Sequence, residues 1–83
     1  MMLQRQVVHI ACAHGVLYEL VQIRTSYLGF GSVPRYQVWT YDVTGDRTAP
    51  DGRAPVRRED LCRVWRESTG GEELPAWVRE GVR

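Results

Sequence analysis

Apolar and polar residues alternate along two neighbouring stretches of the chain, residues 16–25 and 36–43. Both stretches are rich in β-branched and aromatic side chains, a composition typical of β-strands. Between them, Gly29 and Gly31 flank Phe30, and glycine suits a loop that requires positive φ angles. The pattern therefore predicts an antiparallel hairpin, and we expect the rest of the chain to pack against it.

A further strand is predicted upstream of the hairpin, over residues 6–13. His14 and Gly15 suit a tight turn into the next strand, whereas residues 1–6 are expected to form a frayed or partly paired lead-in. Because side chains alternate along a strand, Val7 and His9 are predicted on one face, and Cys12 and His14 on the other. The three strands together predict an antiparallel sheet in meander order.

After residue 55 the spacing of apolar residues changes from two to three and four. Leu61, Val64 and Trp65 fall on one stripe, which predicts a helix over residues 56–68. We expect this helix to pack across one face of the sheet. A short last helix is predicted over residues 74–80, and its anchors are expected to be Leu74, Trp77 and Val78.

Residues 42–55 separate the strands from the helices and contain Thr-Gly-Asp, Asp-Gly and two Ala-Pro dipeptides, which favour turns. A loop of this length is either functional or mobile, and the sequence leaves both interpretations open. We predict that residues 1–83 form one small α+β domain. It comprises a three-stranded antiparallel meander, a C-terminal helix on one face and a short terminal helix.

The charge composition narrows the possible partners. The 83 residues include 11 basic and 10 acidic side chains, for a formal net charge of +1, so no overall charge attracts nucleic acid or an anionic membrane. Every basic residue is arginine. The use of arginine in place of lysine fits either an interface that needs bidentate cations or codon bias in a GC-rich genome.

The sequence also bears on location. Its apolar runs are shorter than the roughly 18 residues that a membrane helix needs. The short apolar run that ends at Ala13 is interrupted by His9 and does not fit a signal peptide. We therefore expect a cytoplasmic protein that neither enters a membrane nor is exported.

The candidate metal ligands are His9, Cys12, His14 and Cys62. His9 is predicted to point away from the other three, and the chain has no Cys-x-x-Cys motif, so three ligands at most could meet. We expect two free thiols and no bound metal or other cofactor. A disulfide between Cys12 and Cys62 is the alternative, although a reducing cytoplasm disfavours it.

Catalysis is not predicted by any group of residues. Cys12 and His14 are the one Cys/His pair close in sequence, and same-face neighbours on a strand lie about 6.5–7 Å apart. That separation is long for a poised nucleophile and base, and no third residue is placed to orient the histidine. We therefore expect a protein that is not an enzyme.

Arginine and aromatic residues gather around the hairpin bend. They are Arg24, Tyr27, Phe30, Arg35 and Tyr36. These residue types are enriched at protein-binding hot spots, and they also suit base stacking combined with phosphate contacts. Alternatively, Tyr27 and Tyr36 form a cross-strand pair that holds the hairpin. We predict that the five residues form a partner-binding patch, with Phe30 projecting from the loop.

These observations predict a protein-binding module that acts by occlusion or regulation of a partner complex. Small phage-encoded inhibitors of host or defence complexes, anti-CRISPR proteins among them, are one setting suggested by the chain's size. A small RNA- or DNA-binding domain that uses the sheet and the hairpin tip is the alternative. The chain carries no motif that assigns it to a family, and its oligomeric state is not indicated by the sequence.

Overall fold

The computed structural model describes residues 2–27, 30–31, 33–41, 47–48 and 53–81. Within these ranges the elements are β1 (Met2–Ala13), β2 (Val16–Tyr27), β3 (Phe30–Gly31), β4 (Arg35–Tyr41), β5 (Arg47–Thr48), α1 (Leu61–Thr69) and α2 (Ala76–Gly81). A 3₁₀ turn, Arg58–Asp60, leads into α1. The structure thus confirms the predicted α+β fold, with an antiparallel sheet, a helix and a short C-terminal helix.

The three long strands form the predicted meander. β2 lies between β1 and β4, and both neighbours run antiparallel to it. The two-residue strands add short extensions, since β3 pairs with the end of β2 and β5 pairs with β4. In the described residues the strand order is β1-β2-β4-β5, which places β1 at one edge of the sheet.

His14 and Gly15 connect β1 to β2 with φ angles of 54° and 75°. Positive φ at both central residues characterises the type I′ turn, whose twist matches that of a hairpin. The predicted turn is therefore confirmed. The predicted lead-in is wrong, because residues 2–6 continue β1 and pair with the long β2, from Met2 opposite Ser26 onward.

A β-bulge interrupts β1 at Val8. Val7 pairs with Val21, whereas His9 pairs with Leu20. Val21 and Leu20 are adjacent on β2 and face opposite sides of the sheet, so Val7 and His9 also lie on opposite faces. The prediction that they share a face is therefore wrong, because the extra residue shifts the alternation.

The helices cover one side of the sheet, which we call the helix face. Its core consists of the following buried residues: Leu20, Tyr36, Val38, Leu61, Val64, Trp65, Leu74 and Val78. Trp65 and Val78 are fully buried. The predicted packing of the helix across one face is thus confirmed. No helix in the described part of the chain is long and apolar enough to cross a membrane.

Gly70 ends α1 in the left-handed conformation, with φ 73°. Such a residue lets the last turn of a helix close on itself without the steric penalty of a side chain. The backbone N–H of Gly71 donates to the carbonyl of Arg66 at 2.9 Å. This cap turns the chain back toward Leu74 and α2, so that Leu74 and Val78 can enter the core.

Candidate functional site

The side of the sheet opposite the helices, which we call the open face, takes alternate residues from three strands. Register and alternation place the following side chains there: Leu3, Arg5, Val7, Ile10, Cys12, Leu17, Glu19, Val21, Ile23, Thr25, Arg35, Gln37, Trp39 and Tyr41. Neither α1 nor α2 packs on this side, because their buried residues join the helix-face core.

Edge strand β1 exposes aliphatic side chains along the open face. Leu3 is 50% exposed, Val7 41% and Ile10 53%. Full burial of an exposed aliphatic side chain contributes about 1.5–3 kcal/mol, so a partner that covered the exposed half of each would gain about half of that per residue. A row of such residues on one face is a feature of interaction surfaces rather than of an ordinary solvated strand.

The middle of the open face is a polar layer held within the sheet. Glu19, although only 6% exposed, accepts a hydrogen bond from the hydroxyl of Tyr41 at 3.0 Å. The indole Nε1 of Trp39 donates to Oε1 of Gln37 at 3.1 Å. These contacts fix Trp39 and Tyr41, the two aromatic side chains that β4 places on the open face, half-buried within the sheet.

The end of the sheet opposite the His14–Gly15 turn carries a concentration of positive charge on its open face. Arg5 and Arg35 lie in register on either side of Ile23, with backbones about 10 Å apart across two strand spacings. Neither arginine has an ion-pair partner in the described part of the chain. We call this group of Arg5, Ile23 and Arg35, together with the exposed Leu3, the arginine end.

Three arginines before and on α1 differ from those of the arginine end, because each lies next to a carboxylate. Arg53 lies 3.2 Å from Glu67, Arg63 lies 3.3 Å from Asp60, and Arg66 lies 3.8 Å from a carboxylate oxygen of Glu73. The carboxylates Asp60 and Glu67 raise the pKa of Arg63.

Basic and acidic residues are also distributed unevenly along the sequence. Residues 1–41 contain three arginines and a single acidic residue, Glu19, whereas residues 42–83 contain eight arginines and nine acidic residues. The near-zero net charge of the chain is therefore the sum of a net charge of +2 on residues 1–41 and a net charge of −1 on residues 42–83.

The structure describes the side chains of three of the five residues of the predicted patch, Arg24, Arg35 and Tyr36. Arg35 lies on the open face, whereas Arg24 projects from the helix face, where its Nε donates to Oε1 of Gln22 at 3.1 Å. Tyr36 is 1% exposed and belongs to the core, so we leave it out of the candidate surface. The backbones of Tyr27 and Phe30 pair across the bend, but their side chains lie outside the described part of the structure.

A groove on the helix face runs beside β1, where α2 ends. It encloses about 410 Å³ and is lined by Gln6, Gln22 and Arg24 from the strands and by Trp77 and Val78 from α2. A neighbouring depression of about 260 Å³ shares Arg24 and extends the groove toward the end of the sheet. We call the larger space the Trp77 groove.

Aromatic contacts support the wall of the Trp77 groove. The ring of Trp77 lies 6.0 Å from that of His9 in an edge-on arrangement, and His9 lies 5.5 Å from the buried Trp65. Burial between these rings lowers the pKa of His9. Trp77 nevertheless stays 66% exposed, so the prediction that it anchors α2 is wrong, and Leu74 and Val78 perform that role.

The cysteines lie on different sides of the sheet. Cys12 is exposed on the open face, opposite Leu17, whereas Cys62 is half-buried on α1 against the helix-face core. The sheet itself therefore separates the two thiols. In the described ranges, no three His, Cys, Asp or Glu residues come together in a group that could hold a metal ion.

Sequence reasoning missed Arg5, Leu3 and Trp77 as candidate surface residues. Arg5 and Leu3 fell in a segment expected to be frayed, yet they share the two-residue spacing of Val7, and this signal could have extended the strand. Nothing in the helical pattern distinguishes an exposed Trp77 from a buried one, because the stripe it occupies also contains Leu74.

Comparison with known proteins adds no relative to this picture. No family model matches the chain, and neither the curated proteins nor the solved structures give a significant match.

Proposed function

We propose that this protein is a non-enzymatic protein-binding module that covers an acidic surface of its partner with the open face of its sheet. Binding of this kind blocks access to the partner and needs no catalytic group. A phage-encoded inhibitor of a host or defence complex is one class of protein that acts by such occlusion.

One observation carries the proposal. Arg5 and Arg35 flank Ile23 on the open face without an ion-pair partner in the described residues. By contrast, Arg53, Arg63 and Arg66, before and on α1, each lie next to a carboxylate. A guanidinium can form two parallel hydrogen bonds to a carboxylate, and such charge-assisted contacts are about twice as strong as neutral ones. The partner surface should therefore be acidic.

The aliphatic row beside the arginine end supplies the apolar part of the interface. Leu3, Val7 and Ile10 are about half exposed on the same face as Arg5. Interfaces combine an apolar centre with a polar rim, and this strand provides the two side by side. Charge would orient the partner, and burial of the aliphatic side chains would contribute most of the affinity.

A small RNA- or DNA-binding domain is the alternative, and one feature of β4 favours it. Arg35, Trp39 and Tyr41 lie on the open face of the same strand, and sheet-based RNA-binding modules present aromatic rings beside cations. Against it, the polar atoms of both aromatic side chains bond within the sheet, and the buried Glu19 lies on the same face.

The class of partner is tested by affinity capture from the cells that encode the protein, performed in parallel with and without nuclease. A protein partner recovered in equal amount from both samples supports the proposal. Recovery that disappears with nuclease, together with a steep loss of binding as salt is added, would establish the nucleic-acid alternative instead.

A further inference from the structure

The outer edge of β1 and the Trp77 groove lie against each other. In the described part of the chain β1 pairs on one side alone, with β2, and an edge strand presents unpaired N–H and C=O groups to any strand that approaches. The groove borders this edge on the helix face through Gln6 and Val8. An approaching strand could therefore pair with the main chain of β1 and place its side chains in the groove at the same time.

β1 lacks most of the features that protect natural edge strands. It contains no proline, lysine or acidic residue, and its single formal charge is Arg5. The bulge at Val8 does interrupt the edge, because it breaks the register between Val7 and His9, and bulges hinder pairing. Residues 2–7 before the bulge keep an unbroken register and span about 20 Å at the usual rise per residue.

We propose that residues 2–7 of β1 bind an extended acidic segment of the partner by strand addition, with one of its side chains against Trp77. This inference rests on the proposed function and specifies the chemistry of the partner. Side chains of an added strand alternate between the two faces of the sheet. Those on the open face would meet Arg5, and those on the helix face would enter the Trp77 groove and meet Arg24.

Charge complementarity identifies the occupant. Arg5 and Arg24 lie on opposite faces of the sheet, so a strand with carboxylates on both faces would meet a cation on each. A second copy of this chain could pair its own β1 with this edge, but β1 has no Asp or Glu. Self-pairing would therefore bring no carboxylate to either arginine, which favours an acidic segment from another protein.

The groove suits an amphipathic segment. The exposed ring of Trp77 and the side chain of Val78 provide an apolar wall, whereas Gln6, Gln22 and Arg24 provide amide and guanidinium groups on the strand side. In strand-addition complexes, main-chain hydrogen bonds supply affinity and pockets for alternate side chains supply specificity. We therefore expect an apolar residue and an acidic residue at alternate positions of the segment.

The experiment selects binders from a displayed library of random octapeptides and studies an enriched peptide with the purified protein. The expected peptides carry Asp or Glu at a position two residues from an apolar one. Their affinity should fall at least tenfold in both Arg24→Ala and Trp77→Ala, while Arg66→Ala, which removes an exposed arginine of α1, should leave it unchanged. On binding, amide exchange should slow at every second residue of β1 between residues 2 and 7.

Three results would overturn the inference: a library that yields no binder, enriched peptides without acidic residues, or binding that leaves the β1 amides unprotected. Formation of a dimer by the free protein with the same amide pattern would assign the edge to a second copy instead. The proposed function can hold even if strand addition is wrong. Arg35 does not line the groove, so a protein partner whose capture depends on Arg35 would still be recovered in that case. Loss of that capture as well would mean that the proposed function itself is wrong.

Discussion

Nε2 of Gln22 donates a hydrogen bond to the hydroxyl of Tyr36 at 3.1 Å, and both residues are buried. The contact joins β2 to β4 beneath the helix layer. Oε1 of the same Gln22 accepts from Arg24, so the side chain of Arg24 is connected to the core through two successive hydrogen bonds. Tyr36, which was predicted to bind a partner, thus holds Gln22, and through Gln22 it positions Arg24 at the border of the Trp77 groove.

This contact makes Tyr36→Phe destabilising. The substitution removes the acceptor and leaves a buried amide donor of Gln22 with one fewer partner, which costs about 1–3 kcal/mol. Urea unfolding of both proteins measures the difference. Tyr18→Phe is the matched control, because the structure describes no hydrogen bond of the Tyr18 hydroxyl, and it should change the stability by less than about 0.5 kcal/mol. Equal effects of the two substitutions would contradict the role given to Tyr36.

The two tryptophans that contact His9 should differ sharply in their contribution to stability. Trp65 is fully buried, whereas Trp77 is 66% exposed. Trp65→Ala should lower the free energy of unfolding by about 3–5 kcal/mol, a large part of what a small domain has. Trp77→Ala should lower it by less than about 1 kcal/mol. Thermal or denaturant melts compare them, and similar losses for both would mean that the core is not centred on Trp65.

Acid should weaken the fold through His9. Burial between aromatic rings lowers the pKa of His9 below the ordinary value of 6.5, so the unfolded chain takes up this proton more readily than the folded one. Stability is therefore full above about pH 6.5 and falls as the pH drops through that value toward the lower pKa of the folded state. Unfolding free energies measured between pH 7.5 and 5 would show this fall, and His9→Gln should reduce it. A variant that keeps the whole fall would exclude His9 as its cause.

The thiols should react at different rates and remain unpaired. Cys12 is exposed and Cys62 half-buried on the other side of the sheet. A thiol reagent should modify Cys12 rapidly and Cys62 much more slowly, and Cys12→Ser should abolish the fast phase. Mass spectrometry of the protein purified without reductant should show no loss of two protons. A two-proton loss that disappears in Cys12→Ser would mean that the strands rearrange to bring the thiols together.

The hydrophobic pattern predicted the sheet well where one face is covered. Leu20, Val38 and Tyr18 alternate with residues of the open face, and the helix stripe of Leu61, Val64 and Trp65 matches the buried side of α1. Side chains repeat every two residues along a strand and every 3.6 residues along a helix because of backbone geometry, so the strands and the helix could be predicted from the sequence.

The candidate site was harder to predict, for a physical reason. Alternation within a strand puts Arg24 on the face of Leu20 and puts Tyr36 on the face of Val38, opposite Arg35. It does not say which of the two faces the helices cover. The side chains of residues 74–80 raise the same difficulty, because only the packing of α2 shows that Val78 is buried and Trp77 exposed.

The central claim is that the open face binds the partner through Arg5 and Arg35, which have no ion-pair partner among the residues that the structure describes. The most direct test is the affinity of the purified partner for Arg35→Ala, measured by calorimetry beside the control Arg66→Ala. Both substitutions remove one guanidinium, but Arg66 lies on α1 near Glu73. The account predicts that Arg35→Ala weakens binding at least tenfold, about 1.4 kcal/mol, with little change in melting temperature, and that Arg66→Ala binds like the parent. Equal affinity of all three proteins would contradict the account.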